Sequence, residues 1–466
     1  MKKYLFSFLV LLLVLPFILV SCSGDDDEDI VLIGYQPIAV GHTMPYQDII
    51  WTGSGQYGQY KASLHVHSLN SDGSHTQADM IETYYALGFE ILAFTEHNYG
   101  RNASQTAGTD MLTFPYTKDW VSHNRVEPPH AQREVPLTQA RYDEIIAGIG
   151  RPASSGKEGK PMLRVPNTSE IAVYPDEANF FFFAHDWERS VPGGVVGGAH
   201  IRNPIGLNAL FNEVEDHIDE DTQLRAIGFI NHPGRTTGGA GRYDARGEAA
   251  SKERGWVNMY TAIFNRYTSC LGFEIVNRGT DADSASDRIL WDSVLTQVIP
   301  HGKRNVWGFA NDDAHSANGA GHAWNVFIME ENTVEAFHEA MLKGNFYAVT
   351  RRAHRELGQN IYGGVPGTQT NVPNAHLGAY PQLTGVRITG SGNNIILRLT
   401  VENAPTTNWI SDGKVIVDTH GNPVNTNNLR LADYPSQIGS YVRANIIGPG
   451  GIAFTQPFPV AEIRGN

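Results

Sequence analysis

Between Tyr60 and about Thr350, short apolar runs alternate with segments whose apolar residues recur at helical spacing. One unit can be followed residue by residue. Leu64-His65-Val66-His67 closes an extended run. Thr76 is placed to cap a helix, with Asp79 three residues on as the acid of a capping box. Met80, Ile81, Tyr84, Tyr85 and Leu87 fall on one helical face, Gly88 stops the helix, and 89–95 reads as the next strand. Further strands are predicted at 162–165, 180–184, 226–230, 271–276 and 306–310, with a closing helix at 333–343 and a short last strand at 346–349. Repeated β-α-β units imply an α/β fold built on a parallel sheet or barrel. From about His376 the texture changes to short runs at 386–388, 395–401, 414–417, 441–447 and 452–454, separated by Gly, Asn and Pro. That spacing predicts a small C-terminal all-β sandwich over 375–466.

Composition narrows the chemistry. The 466 residues are 41% hydrophobic and 18% charged, ample for packed cores and too apolar for a disordered chain. The net charge of −14 includes five acids in the run 25–29, and no stretch of Lys and Arg forms a basic stripe, so no specific nucleic-acid binding is expected. Two cysteines, Cys22 and Cys270, exclude a disulfide framework and a thiolate zinc site. Any metal must be held by His, Asp and Glu. Cys270, ahead of an apolar run, reads as a small core residue.

Lys2 and Lys3 precede an apolar run over 4–20 that ends in Leu19-Val20-Ser21-Cys22, the pattern of an export signal. The Cys after a small residue resembles the bacterial lipobox. That resemblance implies a signal peptide over 1–21, lipid attachment to Cys22 and anchorage to a membrane. The acidic run that follows resembles the surface-export tag of Bacteroidetes lipoproteins, which implies a cell-envelope protein on the outer membrane, exposed at the surface. Residues 22–57 read as tether and lead-in.

In parallel α/β folds, function gathers where strands end. Those ends carry His65 and His67, then Glu96-His97, then Glu170, His185, His232, and Asp313 with His315; Asp72 lies in the loop beyond the first strand. Six of the 18 histidines sit at or just past a strand end. Six imidazoles with three carboxylates are poorly explained by packing, because burying such charges without a cation is costly. Residues two apart on a strand point the same way, so His65 and His67 can reach one ion, and Asp313 and His315 repeat the device. Imidazole and carboxylate without thiolate suit Zn, Mn or Fe. The donors exceed one ion's needs, so two or three divalent metal ions are expected, with Glu170 as the bridging carboxylate.

Leu64-His65-Val66-His67-Ser68, Ser71-Asp72-Gly73, Ala93-Phe94-Thr95-Glu96-His97-Asn98, Asn231-His232-Pro233, Gly272-Phe273-Glu274-Ile275, Asp313-Ala314-His315 and Gly344-Asn345-Phe346-Tyr347 together resemble the PHP (polymerase and histidinol phosphatase) domain, over 58–352. The resemblance implies a distorted (β/α)7 barrel and hydrolysis of a phosphate mono- or diester, small or polymeric, by metal-bound water. It implies that His65, His67, Glu170 and Asp313 share one metal, that Glu170, His185 and His232 share a second, and that Asp72, His97 and His315 hold a third or orient its ligands. Arg235 would bind substrate phosphate. Two departures stand out. Thr95-Glu96-His97 replaces the usual Thr-Asp-His, and Glu177 stands where many relatives have a His. His185, Glu177 and His200 are therefore alternatives for one ligand. Glu274 and Asn277 read as supporting groups near the site. Rival readings are a related hydrolase of non-phosphate esters or amides and a non-catalytic surface lipoprotein.

Overall fold

The computed structural model describes residues 44–97, 137–172, 176–183, 206–238, 252–277, 281–302, 304–351, 379–391 and 394–463, with strand Gly34–Pro37 and a few single positions besides. Among these residues no helix is long and apolar enough to cross a membrane. The leader and Cys22 lie outside them.

In chain order the strands are β1 (Gly34–Pro37), β2 (Gly58–Ser63), β3 (Ile91–Leu92), β4 (Leu163–Arg164), β5 (Ser169–Ala172), β6 (Glu177–Phe181), β7 (Ile227–Ile230), β8 (Cys270–Asn277) and β9 (Trp307–Asn311). They continue as β10 (Ala323–Met329), β11 (Phe346–Thr350), β12 (Gln382–Thr389), β13 (Ile396–Glu402), β14 (Thr406–Ser411), β15 (Lys414–Val415), β16 (Asn428–Arg430), β17 (Tyr441–Gly448), β18 (Gly451–Phe454) and β19 (Phe458–Ile463).

The fold is mixed α/β, with one large sheet and two smaller ones. The expected parallel pairing holds for β2–β3–β4 and for β7–β8–β9. β6 breaks the rule by running antiparallel to both β5 and β7. Two isolated parallel bridges, His97–Glu170 and Val66–Ala314, connect the five-stranded sheet β5–β9 to the exits of β3 and β2. The interior is aromatic: Phe229 stacks on Phe309 at 4.3 Å, and Phe309 on Phe346 at 4.7 Å. The four consecutive phenylalanines are all buried: Phe181 and Phe182 belong to this interior, Phe180 and Phe183 to the layer under the helix Gly206–Val214.

The helix after β2 begins as its sequence predicts. Thr76 Oγ1 accepts from Asp79 N–H, and the Asp79 carboxylate accepts from Thr76 N–H, a complete capping box on Gln77–Ala86. Met80, Ile81, Tyr84 and Tyr85 are its buried face.

The C-terminal strands are present but not set apart. β12, β13 and β16 form their own sheet, whereas β18 pairs antiparallel with β11 and β17 with β18, so the large sheet runs on into the C-terminal residues. The reason lies in β10 and β11, an antiparallel pair joined through the helix Val334–Lys343, with β10 antiparallel to β2. The pair leaves β11 as an edge, and an apolar edge needs a partner. β1 in turn pairs with β19, tying the N-terminal lead-in to the same end.

Candidate metal centre

Past Ser63 the chain leaving β2 continues toward the site. Leu64 and Val66 enter the core, and alternation leaves His65 and His67 on the other side, both fully buried. The backbone is pinned from both flanks: Leu64 N–H donates to Asn311 Oδ1 at 3.1 Å, His67 N–H to the Ala314 carbonyl at 3.0 Å, and Thr95 N–H to the Val66 carbonyl at 3.0 Å.

The next loop is shaped by Glu96. Its carboxylate accepts from Ser68 N–H at 3.0 Å, Ser68 Oγ at 2.6 Å and Ser71 Oγ at 2.5 Å. Gly73 folds back on Ser68 so closely that a Cβ would lie 2.7 Å from the Ser68 carbonyl. The tightened loop brings Asp72 Oδ1 to 3.0 Å from His315 Nε2 and to 3.7 Å from both His67 Nδ1 and His97 Nε2. The acid that departs from the Thr-Asp-His pattern thus organises the loop carrying Asp72, and His97 keeps its place beside Glu170.

Glu170 stands at the centre. Its Oε1 lies 3.2 Å from His65 Nε2 and 3.6 Å from His232 Nε2; its Oε2 lies 3.2 Å from His67 Nε2 and 3.1 Å from His97 Nδ1. Asp313 Oδ1 is 3.5 Å from His65 Nε2, 3.3 Å from His67 Nε2 and 3.4 Å from His315 Nδ1. Both His232 (φ 28°) and Asp313 (φ 46°) adopt left-handed backbone, a strain that concentrates at functional sites. Three donor groups result, each with its atoms within 4.8 Å of one another: His67, Asp72, His97 and His315; His65, His67 and Asp313; and His97, Glu170 and Glu177.

Of the expected site residues, His65, His67, Asp72, His97, Glu170, His232, Asp313 and His315 are brought together. His185, His200 and the Arg235 side chain lie outside the described residues. The alternative Glu177 is in the site, with Oε2 at 3.2 Å from His232 Nε2. The physical reason is strand direction. Because β6 runs antiparallel to β7, its start lies beside the end of β7, with Ala178 opposite Ile230. His185, expected beyond the other end of the same strand, is not among the described residues.

The donor set fits divalent cations. His65 Nε2, His67 Nε2, Asp72 Oδ1 and Glu170 Oε2 are buried and accept or donate no hydrogen bond among the described residues, although each faces an oppositely charged partner. Burial by itself would lower the pKa of His65, but the carboxylates of Glu170, Asp313 and Glu274 outweigh it and raise it well above the usual imidazole value. His67 is likewise desolvated, yet its contacts with Asp313 and Glu170 push it up to about 10. Burial would raise Glu170, but His65, His97 and His232 hold its carboxyl well below the ordinary range. Asp72, next to His315, His67 and His97, is also held down against burial. Without a metal, the raised values of His65 and His67 favour imidazolium facing these carboxylates.

Behind the donors lies a polar layer. Glu274, fully buried, accepts from His65 Nδ1 at 3.0 Å, Asn311 Nδ2 at 2.9 Å, Asn277 Nδ2 at 2.7 Å and His232 N–H at 3.2 Å. Asn231 Nδ2 donates to Glu170 Oε1 at 2.6 Å and to Asn179 Oδ1 at 2.8 Å. Asn325 Nδ2 reaches Asn311 Oδ1 at 3.1 Å. Asp312 accepts three backbone N–H groups, from Gly321, His322 and Ala323, and so fixes the loop after β9. Asn179, Asn311 and Asn325 were not singled out by sequence, and Asn231 entered only as part of the Asn231-His232-Pro233 motif; the available sign was an amide inside or at the end of an otherwise apolar strand.

No protein-family model matches the chain. No curated protein matches its sequence. Among solved structures, the chain is similar to a two-domain protein from Bacteroides vulgatus containing a predicted PHP-like metal-dependent phosphoesterase, at 14% identity over 87% of this chain and 96% of that one, with a TM-score of 0.35. So distant a likeness leaves the functional reading to the side chains.

Proposed function

We propose that this chain is a metal-dependent phosphoesterase of the cell envelope, held to the membrane through lipid on Cys22 and acting on a phosphate mono- or diester, small or polymeric. The observation that carries the reading is the convergence of His65, His67, Asp72, His97, Glu170, Glu177, His232, Asp313 and His315 from separate strand ends and loops. His65, His67, Glu170 and Asp313 would hold one ion, Glu170, Glu177 and His232 a second, and Asp72, His97 and His315 a third. Such ions, when bound, lower the pKa of water and neutralise phosphoryl oxygens.

The chain's own residues supply the rest. Glu274 accepts the Nδ1–H hydrogen bond of His65 and so turns Nε2 toward the site. Asn231 orients Glu170 from behind. Asp72 and His315 have the most exposed side chains of the set, 18% and 27%, and mark the side from which substrate enters. A distorted seven-stranded barrel is the frame this reading adopts. The run of pairings from β2 through β3, the segment 163–172, β6, β7, β8 and β9, with the two bridges at its junctions, supports it.

The test is hydrolysis of p-nitrophenyl phosphate, bis-p-nitrophenyl phosphate and p-nitrophenyl acetate by the purified chain. Turnover of a phosphate ester that chelation removes, metal restores, and His67→Ala or Asp313→Ala abolishes is expected. Turnover of the carboxyl ester alone would assign the chain to the rival hydrolase class, and no metal-linked turnover of any of the three would refute the proposal.

A further inference from the structure

The donor groups are not alike. The outer one presents three imidazoles and one carboxylate, from His67, His97, His315 and Asp72. The inner one, around Glu170 and Glu177, presents two carboxylates within 4.8 Å of each other, with His97 Nδ1 in the same group and His232 Nε2 at 3.2 Å from Glu177 and 3.6 Å from Glu170. Two largely buried carboxylates this close repel each other unless a cation lies between them. Oxygen-rich sites suit Mn²⁺ and Mg²⁺, whereas imidazole-rich sites suit Zn²⁺ and other later metals.

We propose that the centre is heterometallic, with Glu177 as the residue that makes it so: the Glu170–Glu177–His232 position takes Mn²⁺, and the Asp72–His97–His315 position takes Zn²⁺. The placement of Glu177 follows from the reversed direction of β6, which brings the start of that strand, and with it a carboxylate, to the site. Its partner on the far side is fixed independently, since Asn231 Nδ2 and the neighbouring histidines hold Glu170 in place. His97 faces both positions, Nδ1 toward Glu170 at 3.1 Å and Nε2 toward Asp72 at 3.7 Å. The two positions therefore lie on opposite sides of one ring and are chemically distinct. The inference rests on the reading that these groups hold metals. It concerns which metals, and its test needs no turnover.

The experiment is competitive loading. The full-length chain, stripped of metal, is dialysed against buffered Zn²⁺ with Mn²⁺ in large excess, to offset the general preference for zinc. Metal content is read by plasma mass spectrometry and bound Mn²⁺ by electron paramagnetic resonance. The expected result is both metals on one chain, with about one equivalent of Mn²⁺. Glu177→His should keep the total and replace that Mn²⁺ with Zn²⁺. Glu177→Asp, which keeps a carboxylate, should retain Mn²⁺ and guards against a misfolded histidine variant. A wild-type chain carrying a single metal type, or the same Mn²⁺ to Zn²⁺ ratio in wild type and Glu177→His, overturns the proposal. Phosphoester turnover with either of those outcomes would leave the hydrolase reading standing; mixed loading without turnover would do the reverse.

Discussion

Glu274 touches two candidate ligands from behind, the ring of His65 and the backbone of His232. Replacing it with Gln leaves the volume and removes the charge that makes His65 a stronger donor. Groups of this kind typically govern metal affinity by about 10–100-fold. Glu274→Gln should therefore weaken metal binding by about that factor in competition with a chromogenic chelator, while the circular dichroism of the fold is retained; unchanged affinity would remove Glu274 from the account. A second prediction follows from the imidazoles. In the metal-free chain the raised value of His67 contributes stability that is full below the ordinary imidazole pKa and lost as pH rises through about 10. The depressed Glu170 and Asp72 contribute stability above ordinary carboxylate values that is lost on acidification. Metal binding must displace the imidazole protons, so the rise in Tm on adding Zn²⁺ should be larger at about pH 8 than at about pH 6. Thermal scans at the two values check this, and an equal rise would contradict it. The donors themselves were legible because the pattern of two histidines two residues apart has a geometric meaning on a strand. The asparagine layer was not, because a single amide in an apolar run has no spacing to read.

At the scale of elements, the capping box before Gln77–Ala86 was readable from Thr76 and Asp79 because it depends only on residues three apart. Thr76→Ala should cost about 1 kcal/mol in denaturant unfolding, and a change near zero would show that the helix start is held by tertiary contacts instead. Strand direction was not readable. The strand predicted at 180–184 overlaps β6 only at Phe180 and Phe181 and reads as buried in either orientation; only the pairing of Ser169 with Phe180 and of Ala178 with Ile230 sets it antiparallel. That one reversal decides which end of the strand feeds the site. The short β5 is absent from the predicted strands for a related reason: four residues between loops carry too little periodicity to separate from the segment before them.

The whole molecule is joined more firmly than its change of texture near His376 suggests. β11 meets β18 through Ala348–Phe454 and Thr350–Ile452. Across the same junction Arg443 clasps Asp292 with Nε at 2.8 Å and Nη2 at 2.8 Å, and Tyr441 Oη donates to Asp292 at 2.6 Å. Removing one partner of a buried pair like this costs about 3–5 kcal/mol. Asp292→Ala should lower stability by about that amount, and wild-type calorimetry should show one transition spanning both parts; two separated transitions would mean that the C-terminal strands fold alone. Sequence texture registers a change of strand length and turn composition, not whether an edge is shared, so this continuity was invisible in it. The proposed lipid anchor belongs to the same scale: labelled palmitate should enter the chain expressed in a bacterium that processes lipoproteins and be lost in Cys22→Ser, and labelling of that variant would remove the anchor from the proposal. The central claim is that the buried histidines and carboxylates exist to hold catalytic metal. Its most direct test is the metal content of the full-length chain purified without chelator, measured beside hydrolysis of the two nitrophenyl phosphates. The account predicts two or three equivalents of Zn, Mn or Fe, lost together with turnover in His67→Ala and Asp313→Ala. Substoichiometric metal that cannot be restored, with no turnover, would contradict it and favour the rival reading of a non-catalytic surface lipoprotein.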